Sequence, residues 1–197
     1  SLLYTFTVMA MITAFLSSML FYCLLFSPLY FVARFIIIKR SRFHLWKELL
    51  YYSFFLYCVS IFSQTILPSR DFLLGYETAV GRSNFTPFET IMHYVNLLGS
   101  PMHTVAVYNL VGNIVLFIPF GFYIPVIWRK LQSLWKMMIV SIIIPVFIET
   151  TQYFIGRSID VDDVILNTLA IIIGYFIYRV GNWMLKITAY KKEKRKL

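Results

Sequence analysis

The sequence predicts an all-α integral membrane protein with about five transmembrane helices. Its N-terminus is outside, its C-terminus cytoplasmic, and a partly helical extracytoplasmic segment separates spans 2 and 3. Of 197 residues, 59% are hydrophobic and 19% aromatic, and only 14% are charged, whereas soluble domains carry roughly 25% charge. The apolar residues fall in long runs separated by short polar stretches, the pattern of a multi-pass chain. The net charge of +9 is unevenly spread. Fourteen of the 18 Lys and Arg lie in three groups: Lys39 to Lys47, Arg129 to Lys136, and Arg179 to Lys196. That distribution fits cytoplasmic loops under the positive-inside rule, so it argues for membrane topology and against a nucleic-acid partner.

The first span, about 2–38, is longer than a ~30 Å hydrocarbon core requires. Pro28 is its predicted kink, Arg34 reaches for the cytoplasmic headgroups, and two short re-entrant pieces are the alternative. No small-residue cleavage site follows a short apolar core, so a removable signal peptide is not expected. Span 2 covers about 49–67. Cys23 and Cys58 lie inside apolar runs and read as small buried hydrophobes, not as a disulfide or metal pair.

Pro68 to Thr104 is too long for a simple turn. Within it, Thr86 is a candidate N-cap, Pro87 fits the first helical position, and Glu89 completes a capping box, giving a short helix at the outer interface. Glu89 and His93 have metal-ligand spacing but no third partner nearby, so no metal and no cofactor is expected.

Span 3, about 105–128, carries Asn109, Gly112 and Asn113 on one face, and Pro119, Gly121 and Pro125 bend its inner half. Span 4, about 134–155, carries Glu149, Gln152 and Tyr153 near its outer end. Span 5, about 160–185, leads into a basic tail, 186–197, read as frayed against anionic headgroups. At helical pitch Asp160, Asp163, Asn167, Ala170, Gly174 and Gly181 share a sector about 80° wide. Such a side is acidic, then amide-bearing, then small, and belongs against protein or water. No repeat or linker divides the chain, so one domain is expected.

Consecutive helices with short linkers are usually neighbours. Spans 3 to 5 would therefore bring Asn109, Asn113, Glu149, Gln152, Arg157, Asp160, Asp163 and Asn167 together near the outer surface, with Arg157 able to pair with the acids. The structural alternative is that the aspartates cap the fifth helix and the asparagines join helices. Asp162 points about 200° from Asp160, so for it the capping reading is preferred.

These residues resemble the VanZ-like family of bacterial membrane proteins. The resemblance is carried by NFTPFETI (84–91), NLVGNIVLFIPFGF (109–122), Glu149 with Gln152, and GRSIDVDDVILNTL with IIIGY (156–175). Ala170, Ile171 and Ile172 stand where the family pattern leads one to expect a glycine or two. By motif, the resemblance carries over Asn84, Pro87, Asn109, Asn113, Glu149, Gln152, Arg157, Asp160, Asp163 and Asn167. It implies a bacterial cell membrane location and a link to low-level resistance to lipid-tailed glycopeptides, notably teicoplanin, with no catalytic activity assigned.

The expected function is accessory: binding membrane lipid or another envelope amphiphile at the polar cluster. An enzyme acting on envelope lipids through Glu149, Asp160 and Asp163 is the alternative, although no nucleophile elbow or HExxH is present. A proton-coupled flippase is third, disfavoured by the lack of a repeat.

Overall fold

The computed structural model describes residues 2–38, 44–66 and 83–194. The readings that fall on 39–43, 67–82 and 195–197, among them the first basic group from Lys39 to Arg42, the start of the segment after span 2 and the end of the basic tail, lie outside the described residues. Two compact units are present, 1–79 and 80–197.

The first unit is a pair of helices, α1 (Leu2–Ile38) and α2 (Leu45–Thr65). α1 continues unbroken across Pro28, so it is one long helix and not two re-entrant pieces. Polar atoms within the apolar faces meet across the pair. Ser27 Oγ lies 3.0 Å from the Tyr52 hydroxyl, and Cys23 Sγ lies 3.5 Å from Ser60 Oγ. Both cysteines are free and half-buried. Arg34 is engaged across the pair: its Nε donates to Glu48 Oε2 at 2.7 Å, Nη2 reaches Oε1, and the guanidinium sits 5.1 Å above the Tyr51 ring. A half-buried carboxylate on the facing helix outcompetes solvent for a fork-shaped cation.

The second unit holds α3 (Glu89–Leu97), α4 (His103–Ile127), a 3₁₀ turn (Arg129–Leu131), α5 (Leu134–Phe154) and α6 (Val161–Lys194). The predicted tail, 186–197, is therefore helical as far as Lys194. The most extensive packing is between α4 and α6, followed by α5 on α6, whereas α4 and α5 barely touch. The expectation that consecutive helices are neighbours holds for α5 with α6 and fails for α4 with α5.

Backbone proximity is the reason. A Cβ built on Gly121 would strike the Ile171 carbonyl and come within 2.5 Å of the Tyr175 nitrogen; one on Gly174 would strike the Ile118 carbonyl. Two glycines thus let α4 and α6 run in the same direction in close contact, with Ala170 and Ile171 fully buried beside them. Packing is therefore tight even where the family pattern would have a glycine. The small-residue seam stops short of its predicted end, because Gly181 faces open space. On the other flank of α6, Thr168 Oγ1 donates to Ser141 O of α5 at 3.0 Å, and the buried Tyr175 hydroxyl donates to Gln132 O at 2.8 Å.

Among the described residues, four helices are long and apolar enough to cross a membrane: Ile12–Ile37, His103–Ile127, Leu134–Phe154 and Val161–Lys194. The second predicted span is helical, but Lys47, Glu48, three tyrosines, Ser53, Ser60, Ser63 and Gln64 lower its hydropathy, and it is not among the four.

Candidate functional site

The N-terminus of α6 gathers the polar residues of the second unit. Asp160 stands just before the helix, and its Oδ1 accepts the Asp162 N–H at 2.9 Å, the N-cap bond that satisfies a donor of the first turn. The same Oδ1 accepts from Asn84 Nδ2 at 3.0 Å. The backbones of these two residues form a parallel β-bridge, with Asn84 N–H on Ile159 O at 2.8 Å and Val161 N–H on Asn84 O at 3.1 Å. Asn84 Nδ2 also reaches Thr90 Oγ1 at 3.0 Å, so one amide ties the loop before α3 to α6. Behind this bridge, buried Glu149 of α5 accepts the Asp160 N–H on Oε2 at 3.0 Å.

The capping box predicted at Thr86 is not formed. The residue before α3 is Phe88, at φ 68°, and no side chain of its own segment caps the helix. Asp162 does so from α6. Its Oδ1 accepts the Phe88 N–H at 2.5 Å, and its Oδ2 accepts those of Thr90 at 2.7 Å and Ile91 at 3.0 Å. These include the second and third amides of the helix, which a local cap would otherwise satisfy, and a carboxylate there also complements the helix dipole. The sequence reading had Asp162 capping its own helix. Its carboxylate is instead fully buried and holds another. Phe88 pays about 1–2 kcal/mol for its left-handed backbone, and the bond to Asp162 offsets that strain.

One turn into α6, Asp163 Oδ1 accepts Asn113 Nδ2 of α4 at 2.7 Å. A further turn on, Asn167 is 3% exposed, and its Oδ1 has no hydrogen-bond partner among the described residues. A buried, unsatisfied amide oxygen is uncommon in a folded protein and calls for an explanation. Tyr94, on α3, faces the same acids: burial, with Asp163 and Asp160 adding to it, pushes its phenol above the ordinary range.

The predicted residues are thus sorted. Asn84, Asn113, Glu149, Asp160 and Asp163 are drawn into bonds across elements, and Asn167 lies one turn below Asp163 on the same face. Asn109 bonds back to Val105 O of its own helix at 2.8 Å. Arg157 lies exposed on the α5–α6 connection, its backbone N–H on Gln152 O at 2.9 Å, and its charge acts on Glu149. Gln152 is half-buried. Pro87 and Glu89 are exposed. No group of three or more His, Cys, Asp or Glu among the described residues is arranged to hold a metal. Tyr94 and the capping role of Asp162 were missed. For Tyr94 the available signal was its place four residues after Thr90, on the face of α3 that Asn84 touches.

No curated protein and no solved structure matches the chain. The VanZ/LLP1 family model matches residues 54–184, which takes in every residue of the cluster and extends into α2. With four helices fit to cross a bilayer, this is a membrane protein, and it belongs to the VanZ/LLP1 family.

Proposed function

We propose that the protein is an accessory factor of the bacterial cell membrane that binds an envelope amphiphile at the cluster of Asn113, Glu149, Asp160, Asp163 and Asn167. Through that binding it contributes to low-level tolerance of lipid-tailed glycopeptides of the teicoplanin type. In this reading α2 also crosses the membrane, the N-terminus is outside, and the cluster lies under the outer headgroups. Polar side chains within apolar helices take the head, and exposed rings such as Phe85 and Phe88 lie beside the tail.

The observation that carries the reading is the Asn167 amide oxygen, buried without a partner among the described residues one turn below a satisfied carboxylate–amide pair. A purely structural polar seam would be fully bonded, since leaving a buried polar group unpaired costs about 1–3 kcal/mol. An unfilled valence in such a seam is suited to a ligand.

Glu149→Ala and Asp163→Ala are expected to lower lipoglycopeptide tolerance to that of cells lacking the protein, while immunoblots of membrane fractions show normal amounts of each variant. Unchanged tolerance at normal abundance would refute the role. Turnover of a tail-labelled envelope lipid by the purified protein would replace binding with catalysis.

A further inference from the structure

We infer that the headgroup admitted by this cluster carries a primary ammonium and is not an anionic phosphate or glycerol head. The inference rests on the amphiphile-binding reading and specifies its ligand. It follows from the acceptor left over at the buried end of the cluster and from the charge gathered around it.

Three donors of the cluster are engaged internally. Asn113 Nδ2 serves Asp163, Asn84 Nδ2 serves Asp160 and Thr90, and the Asp160 N–H serves Glu149. Asp162 is consumed by three amides of α3. In each of these bonds the carboxyl oxygen accepts. At the buried end lies an acceptor, Asn167 Oδ1, which meets no donor among the described residues.

Charge points the same way. Four carboxyls, from Glu149, Asp160, Asp162 and Asp163, converge on the start of α6. Arg157 acts on Glu149 from the exposed connection, and Tyr94 adds one neutral hydroxyl from α3. An anionic head brought here would meet like charge at low dielectric, whereas an ammonium offers three N–H donors and no acceptor. A bare metal ion is the less suitable cation, since the acids are not grouped to enclose one among the described residues. A quaternary ammonium has the charge but no N–H for Asn167.

The test uses the full-length protein in phosphatidylcholine nanodiscs doped with tail-borne photocrosslinking probes. These are phosphatidylethanolamine, its N-acetyl derivative, which lacks the ammonium, and phosphatidylglycerol. The phosphatidylethanolamine probe is expected to label the protein about tenfold more than the N-acetyl probe, the equivalent of one charge-assisted hydrogen bond. Asn167→Leu, which keeps the volume and removes the amide, is expected to abolish that preference. Glu149→Gln supplies the same comparison if the Leu variant elutes as aggregate. Equal labelling by the two probes, a preference for phosphatidylglycerol, or a preference that survives both substitutions overturns the ammonium assignment and leaves amphiphile binding standing. Labelling no stronger than by a matched phosphatidylcholine probe removes amphiphile binding as well.

Discussion

Asp162→Ala is expected to be the most destabilising single substitution in the second unit, by about 3–5 kcal/mol. That is the usual result of deleting one side of a buried charge-assisted network. Its fully buried carboxylate is the acceptor for the amides of Phe88, Thr90 and Ile91. Without it the first turn of α3 has no side-chain cap, and Phe88 keeps a strained φ with nothing to hold it. Asp162→Asn retains one acceptor oxygen and should cost about half as much. Graded SDS or thermal unfolding of the purified variants checks the order Ala, then Asn, then wild type. An alanine variant as stable as wild type would mean that α3 is held by other contacts. Because Asn84 and Thr90 depend on the same junction, the alanine variant should also lose the function attributed to the cluster.

The second large effect is expected where α4 crosses α6. Gly174→Val places a branched side chain against the Ile118 carbonyl, its carbonyl carbon at 2.9 Å and the Gly121 Cα at 3.1 Å from the new Cβ alone. These are backbone atoms, so no side chain can rotate away and the helices must separate. Overpacking of this kind costs about 1–3 kcal/mol and more when backbones collide. Gly121→Ala meets the same barrier from the other side. The built-in controls are Gly112→Ala and Gly181→Ala, where a Cβ meets open space. Alanine there should be neutral or stabilising by up to about 1 kcal/mol, from helix propensity alone. Melting curves of the four variants settle the matter: equal effects at all four positions would mean that α4 and α6 are not in backbone contact.

How much of this could be read from the chain follows from the range of each interaction. Four of the five long helices begin and end close to where apolar runs put them, because hydropathy is a local signal, whereas α6 continues into the basic stretch read as a frayed tail. Asn113, Glu149, Asp160, Asp163 and Asn167 were identifiable because polar residues at helical spacing within apolar runs stand out. The cap on α3 was not identifiable. Thr86, Pro87 and Glu89 supply a good local signature, yet the helix begins at Glu89, and its cap comes from Asp162, 74 residues beyond Phe88. No spacing rule connects two such positions. The α4–α6 pairing escaped for a similar reason: short connections favour α4 beside α5, but the complementary glycines at 121 and 174 lie on non-consecutive helices. The partner of Arg34 escaped in the same way, because Glu48 belongs to the next helix.

The central claim is that the start of α6 gathers carboxylates and amides from α4, α5 and the loop before α3 around a buried amide awaiting a ligand. An electron cryomicroscopy map of the protein in lipid nanodiscs, resolved well enough to show side chains, tests it most directly. The account predicts Asn113 bonded to Asp163, Glu149 on the Asp160 amide, and lipid-like density within hydrogen-bond reach of Asn167. A map with Asn167 sealed by apolar side chains, or with Asn113 turned away from Asp163, would contradict it.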